Sequence, residues 1–301
     1  MTRVVEIPVS LDDRTFDQFV RSYGSPDGER LLFDAHASKW ASPYGLLGLI
    51  TAGQWISEHG LPKPQFTIPT DRDVGQYWAR SGFFEHAQEY FEFHGKVQRA
   101  ASGSTDSLLD ITPIRESHDV HHVVDHVQES SAAILTDVGI EAEATLGFAM
   151  ALSEACQNIV EHAGTGGWVA VQAYNWRRRL GRRVVIIAVA DAGLGFRKSL
   201  EPTQAQRFGD RWGDSAALEA AVFQGISRYH DPGRGQGLAG MRRYVNRWQG
   251  KLSLRSGTAR LSIVPPWDDD EPIHHGLPSF PGAQVLIIIP GRELPRHDAA
   301  H

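Results

Sequence analysis

The sequence predicts two α/β units in tandem, and three observations carry that reading. Strand-like and helix-like segments alternate through residues 1–99. A run of small polar residues without periodicity follows at 100–107, which is a linker composition. Beyond it, long apolar strand-like runs are separated by glycine-rich loops. With 301 residues, 41% hydrophobic and 22% charged, the chain has enough apolar side chain for a core in each unit. A net charge of -6 gives no global reason to expect a nucleic-acid partner. The first residues lack an apolar signal region, and the longest apolar runs, 184–190 and 285–289, are far short of the ~20 residues of a membrane span. The expectation is a cytoplasmic protein with no membrane partner. The single cysteine, Cys156, has no second cysteine to pair with and reads as a small core residue.

In the first unit, residues 4–9 read as a strand and 15–23 as a helix ended by Gly24-Ser-Pro-Asp-Gly28. A second strand falls at 30–35. A helix turns in at Ser42-Pro43 and runs to about His59, a third strand lies at 65–68, and a further helix covers 71–81. The order and spacing of these elements resemble a STAS domain, the fold of anti-sigma-factor antagonists and sulfate-transporter tails. The residues that carry the resemblance are Ser42-Pro43-Tyr44-Gly45-Leu46, where a loop opens a helix, and Ser81-Gly82-Phe83 near the end of the unit. In that family the serine before the glycine is phosphorylated by a partner kinase. Here Tyr44 holds that place and Ser42 lies two positions early, so Tyr44 is expected to pack or to meet a partner.

In the second unit, which extends over 108–291 with a frayed tail at 292–301, residues 108–114 read as a strand. Ser117 then caps a helix to about Leu135. His118, His121, His122 and His126 share its polar face with Asp125 and Glu129, opposite Val120, Val123, Val124, Val127 and Ile134, which is the pattern of a solvated face. The segment Leu152-Ser-Glu-Ala-Cys-Gln-Asn-Ile-Val-Glu-His162 is a helix of another kind. At about 100° per residue Glu154, Asn158, Glu161 and His162 fall in one arc, beside an apolar arc of Phe148, Leu152, Ala155, Cys156 and Ile159. Residues 168–174 and 184–190 form a hairpin with a basic tip at 175–183, read as solvated. The second strand leaves into Asp191-Ala-Gly-Leu-Gly195. Further on, Asp231-Pro-Gly-Arg-Gly-Gln-Gly-Leu238 precedes a helix running to about Trp248, a loop that exposes successive backbone N–H groups to an anion. It is not a Walker A loop, since no Gly-Lys-Ser/Thr closes it. The loop 265–279, with Asp268-Asp-Asp270 and His274-His275, reads as solvated.

Glu-x-x-x-Asn on a helix, Asp-x-Gly-x-Gly after a strand and Gly-x-Gly-x-Gly-Leu before a helix, in that order, resemble the GHKL superfamily of DNA gyrase, heat-shock chaperones, histidine kinases and mismatch-repair ATPases. The helix is most similar to that of the serine kinases that regulate sigma factors. The implied fold is a Bergerat-type α/β sandwich binding ATP with Mg2+ between a sheet face and a lid at 197–232. The resemblance gives Asn158 the role of magnesium ligand and Glu154 that of general base; His162, on the same helical arc, is the next candidate base. It makes Asp191 the acceptor for the adenine amino group, with Gly193 and Gly195 allowing the base to approach. Gly233, Gly235, Gly237 and Leu238 match the phosphate loop. The third glycine box falls at Gly282-Ala283, where alanine stands in place of the family's threonine; Ser256-Gly-Thr258 is a rival that reads better as a strand end.

The function expected from this is ATP/ADP binding by a signalling protein with a regulatory protein partner. Its activity would be that of a serine or threonine kinase, with a nucleotide-gated switch or slow ATPase as the alternative. A homodimer is left open, and a histidine kinase is disfavoured because no second acceptor helix is visible.

Overall fold

The structure, a computed structural model, describes residues 2–98, 107–139, 142–177, 179–226 and 236–293. In the first unit the chain runs β1 (Thr2–Glu6), β2 (Ser10–Leu11), α1 (Phe16–Tyr23), β3 (Arg30–Asp34), β4 (Trp40–Ala41), α2 (Pro43–Glu58), β5 (Gln65–Thr67), α3 (Arg72–Arg80), α4 (Phe83–Ala87) and β6 (Glu92–His94). Strands β1, β3, β5 and β6 make a parallel sheet in that order, and β2 pairs with β4. The first strand ends earlier than its apolar pattern suggests. Ile7 N still donates to Asp34 O, but Pro8 has no N–H to continue the ladder.

Helix α2 starts where Ser42 Oγ accepts from Gly45 N, with Pro43 preset for the first turn. Leu46, Leu47, Leu49, Ile50, Ala52 and Ile56 leave it apolar on every side, and all are buried. A helix of this composition needs cover all round. One side meets Phe16 and Phe91 of its own unit, where Gly48 and Gly53 leave no room for a Cβ. The other lies against the second unit.

That unit runs β7 (Ser107–Ile114), α5 (Ser117–Val138), α6 (Ala142–Asn158) continued by a π-helical turn (Ile159–Ala163), β8 (Gly167–Trp176), β9 (Arg182–Asp191), α7 (Gly195–Phe208), α8 (Asp214–Phe223), α9 (Gln236–Arg247), β10 (Lys251–Gly257), β11 (Ala259–Ile263), β12 (Ile273–His274) and β13 (Phe280–Glu293). Its seven strands form one antiparallel sheet in the order β12-β11-β10-β13-β9-β8-β7. Strand β13 reaches past residue 291, and Arg182 pairs with Glu293 at its end. The expected linker lies outside the described residues up to 106, as does the tail from 294.

Successive residues of a strand point to opposite faces, and here both faces are covered. On β9, Val185, Ile187 and Val189 join a core with Leu152, Cys156, Ile159 and Val245. Val184, Ile186, Ala188 and Ala190 join a second core with Phe16, Leu46, Ile50 and Phe83 of the first unit. The two units thus share a core across the outer face of the sheet. Polar links tighten the contact. Tyr77 Oη donates to Gln172 Oε1 at 2.8 Å, and Ile111 N donates to Ser81 O at 2.9 Å.

The loop 265–279 corrects the expectation of a solvated segment. Asp268 and Asp270 turn inward onto the outward-facing cations of β10 and β11. Lys251 Nζ, fully buried, lies 2.9 Å from Asp13, 3.4 Å from Asp268 and 3.0 Å from Asp270. Arg255 binds Asp17 at 3.0 Å, and Arg260 binds Asp270 at 3.0 Å. Arg179 of the basic hairpin tip binds Asp268 at 2.6 Å and stacks on Trp176, so the tip is partly docked as well. Only Asp269 of the three aspartates keeps an exposed side chain, at 83%. The reason is the strand alternation, which puts Lys251 and Arg255 on a face that the first unit covers, where unpaired charge is costly. By contrast, His118, His121, His122 and His126 are all exposed on α5.

Burial alone would lower the Lys251 ammonium, but Asp13, Asp268 and Asp270 outweigh it and hold it above its ordinary value. Burial would raise Asp270, but Lys251 and Arg260 bring it down to about 2. Lys251→Ala should therefore cost about 3–5 kcal/mol, the usual penalty for leaving buried charge unpaired. A depressed carboxylate stabilises above its unfolded pKa and stops doing so as pH falls through its folded one. Urea titrations should show stability falling from about pH 4 toward 2 in the parent, with a shallower slope in Asp270→Asn.

Candidate functional site

A cavity of about 180 Å³ opens on the helical side of the sheet, between α6 with its π-helical turn, the ends of β9 and β13, α7, and the start of α9. Helix α6 divides as its residue pattern expects. Phe148, Leu152, Ala155, Cys156 and Ile159 are 0–1% exposed in the core. Glu154, Asn158, Glu161 and His162 line the cavity, joined by Gln157 and by Ala155 and Ile159 of the apolar arc. The last turn is π-helical, a form frequent at functional sites. Burial pushes the Cys156 thiol up to about 12, so it is inert packing.

Asn158 Nδ2 donates to Glu154 O at 2.8 Å. Only the nitrogen can donate to a carbonyl, which leaves Oδ1 as the acceptor end of the amide of this cavity-lining residue. Glu154 is held above the ordinary carboxylate range, first by burial and then by the negative charge of Glu161. Gly237, in the first turn of α9, lies so close to the Glu154 carboxylate that any side chain there would displace it. Gln157 Nε2 donates to Glu161 Oε1 at 3.0 Å, and His162 Nε2 lies 4.0 Å from Glu161 Oε2.

At the other end Asp191 is 7% exposed. Its Oδ1 accepts from Gly193 N at 2.9 Å. Burial pushes it up to about 6, against the opposing pull of backbone N–H bonds from Gly193 and Ala283. Gly282 has φ +65° and its backbone touches Asp191, where a side chain would be strained and would collide. Ala283 lines the cavity without a hydroxyl to offer. Ser256 does not substitute for one. Its Oγ donates to Gly282 O at 2.9 Å and accepts from Phe196 N at 3.1 Å, while Thr258 Oγ1 donates to Asp214 at 2.7 Å.

The cavity therefore brings together Glu154, Asn158, His162, Asp191, Gly195, Gly237, Leu238 and Ala283. Gly193 and Gly282 stand behind it, against Ala163 and Asp191. Gly233 and Gly235 lie outside the described residues, as does the part of the expected lid from 227 to 232. The rest of that segment forms α7 and α8. Unforeseen in the sequence are Val189, Phe196, Leu200, Ala221, Ile226 and Val285, which give the cavity apolar walls suited to a flat ring. The signal for Phe196 and Leu200 was their i,i+4 spacing just after Gly195.

Residues 144–269 match the family described as histidine kinase-, DNA gyrase B-, and HSP90-like ATPase. The chain thus carries a GHKL-type ATPase domain, of a family with ATP-binding and ATPase- or kinase-type function. Comparison with curated proteins and with solved structures gives no match. Among the described residues no helix is long and apolar enough to cross a membrane, and no cluster of three acidic, histidine or cysteine side chains could hold a metal.

The residues fit an adenine nucleotide. A buried carboxylate in a glycine cradle suits an exocyclic amino group, and the Asn158 amide oxygen suits Mg2+, whose remaining ligands would be phosphate oxygens and water. Asp191→Ala should weaken Mg-ADP binding by about 1.5–3 kcal/mol, measured by calorimetry. Without nucleotide, a carboxylate raised to about 6 stabilises below its unfolded pKa and loses this as pH rises through 6. Between pH 4 and 7 the parent should lose about 2–3 kcal/mol that Asp191→Ala does not lose.

Proposed function

We propose that this protein is a Mg-ATP-dependent serine or threonine protein kinase of the anti-sigma-factor type, with a STAS-like first unit built onto its ATPase domain. The observation that carries the kinase reading is Glu154. It is a half-buried carboxylate held above its ordinary pKa, one helical turn from Asn158 and in the same cavity as Asp191. A carboxylate base at that place, its proton affinity raised by burial, can take the proton of a serine or threonine hydroxyl, or of water, as the oxygen attacks. ATP would supply the transferable phosphoryl group and Mg2+ the charge to stabilise it. Asn158 would hold the metal, Asp191 and the glycines the adenine, and Phe196 and Leu200 would exclude water from the ring.

The first unit supports the STAS-like reading by its order of strands and helices and by the helix opened at Ser42-Pro43-Tyr44-Gly45. Tyr44 is 3% exposed and packed edge-on to Phe16, and Ser42 is 4% exposed and engaged as a helix cap. Neither is open to a kinase in the folded chain. This burial speaks against the loop as the acceptor in the folded chain, and the acceptor in this proposal is a separate regulatory protein.

A second reading, a nucleotide-gated switch, is favoured by the shared core, which couples whatever the first unit binds to the sheet that carries Asp191. Glu154→Gln separates the two. It keeps shape and hydrogen bonding but removes the base, so a kinase or ATPase should lose roughly 10²- to 10⁴-fold in turnover with nucleotide affinity nearly unchanged. The assay is transfer of label from γ-labelled ATP to protein in a host lysate or to free phosphate. Unchanged turnover in the variant would move the base elsewhere, with His162 next, and no turnover in the parent would favour the switch.

A further inference from the structure

The corner between the π-helical turn and β8 is gripped from both sides. On its cavity side Leu194 N donates to Ala163 O at 3.0 Å, and Gly193 lies against Ala163 with no space for a Cβ. The corner thus touches the Asp191–Gly195 loop directly. On its outer side Gln54 of α2 reaches in from the first unit. Gln54 Nε2 donates to Gly166 O at 3.0 Å, and Gln54 Oε1 accepts from Trp168 Nε1 at 2.7 Å. Between the two residues it holds stands Gly167, the register partner of Asp191.

Gln54 is 5% exposed, and both ends of its amide are used. The orientation is unambiguous, because a carbonyl needs the nitrogen and an indole N–H needs the oxygen. Its Nε2 also donates to Glu58 Oε1 at 2.8 Å, and Glu58 is an acid whose charge reaches Asp191. No other element of the first unit makes a side-chain hydrogen bond to this corner among the described residues. Removing the amide would leave the buried Trp168 indole N–H without its acceptor and the half-buried Gly166 carbonyl with Thr165 Oγ1 at 3.1 Å as its remaining side-chain donor, and the corner would shift to satisfy the indole. A shift of a few tenths of an ångström there is passed to Gly193 and Asp191, since the packed contacts between them leave no slack.

We propose that Gln54 is a positioning residue of the nucleotide site, setting the Asp191 carboxylate and the Gly193 backbone from the first unit, so that adenine nucleotide affinity belongs to both units together. This rests on the nucleotide reading of the cavity. Gln54 touches no nucleotide and acts only through the start of β8. Because coupling between sites is reciprocal, nucleotide binding is in turn felt at Gln54 and Trp168, at the buried seam between the units.

The test uses the full chain, with Mg-ADP as probe. Gln54→Met keeps length and volume and removes both hydrogen bonds. Thr51→Val, one turn earlier on α2, removes a buried hydroxyl that has no partner and serves as control. By calorimetry Gln54→Met should raise the Kd for Mg-ADP about 5- to 150-fold, the usual range of a coupling between sites, with Thr51→Val close to the parent. In the parent, the indole N–H resonance of Trp168, assigned through Trp168→Phe, should move on saturation with Mg-ADP and stay still in Gln54→Met. A Gln54→Met protein that melts earlier yet binds Mg-ADP like the parent overturns the proposal, leaving Gln54 a structural residue only. So does a Trp168 resonance in the parent that ignores saturating Mg-ADP, a result that stands even if Gln54→Met does not fold. A parent that binds no nucleotide overturns the reading of the cavity itself and this proposal with it.

Discussion

The constraint on which the rest of the structure depends is that the central strands of the second unit are buried on both faces. An antiparallel sheet with one wet face would alternate apolar and polar residues. Strand β9 instead runs Val184-Val-Ile-Ile-Ala-Val-Ala190 without a polar residue. Each successive side chain is committed to a different core. The inner set packs under the helices that frame the cavity, and the outer set packs under α2. A sheet so filled cannot present its outer face to water, and α2, apolar on all sides, cannot leave it. At about 1.5–3 kcal/mol for each fully buried leucine or isoleucine, this contact outweighs any single polar link across the seam.

The same alternation explains the ion cluster. On β10 the inward residues are Leu252 and Leu254, while the outward ones are Lys251, Ser253 and Arg255, all buried. Once the first unit covers that face, the cations need carboxylates within reach, and these come from two places in sequence. Asp13 and Asp17 arrive with α1 and the turn before it, and Asp268 and Asp270 arrive with the loop between β11 and β12. Ion pairs of this kind contribute little beyond an apolar contact of similar size, but mispairing them is costly. Their role is better described as fixing how the first unit sits than as adding stability.

Most of the longer elements were legible in the sequence because local signals are strong there, whereas the short β2, β4, α4, β6 and β12 were not. Ser42-Pro43 opens α2, the 3.6-residue pattern of α6 separates Glu154 and Asn158 from Leu152 and Cys156, and glycines follow Asp191. These signals were enough to nominate residues that the fold brings to one cavity. What could not be read locally is what each face meets. Asp268-Asp-Asp270 looks solvated because the cations it pairs with on β10 and β11 lie ten or more residues before it. The cover over β9 was visible only as an unbroken apolar run, which fits either a two-faced strand or a tightly packed hairpin. Phe196 and Leu200 were hidden because an apolar pair at the start of a helix has the same pattern whether it faces a core or a cavity.

The two ends of the cavity show how one environment can serve two tasks. Burial raises both Glu154 and Asp191, but their surroundings differ. Glu154 is half-buried beside another acid, Glu161, and both burial and that charge raise its proton affinity. Asp191 sits among backbone N–H groups that favour the ionised form, and burial still prevails. An acceptor kept in a dry pocket gains most from a donor that enters with its own ring shielded from water. A flat base with an amino group meets that need, and the apolar walls of Phe196, Leu200, Val189 and Val285 supply the shielding. The carboxylate, its glycine cradle and the walls all belong to β9, β13 and α7, and the corner of β8 that holds β9 in register is in turn held by α2. The two-sided burial of the sheet is thus the physical reason why a site on its inner face answers to a unit packed on its outer one.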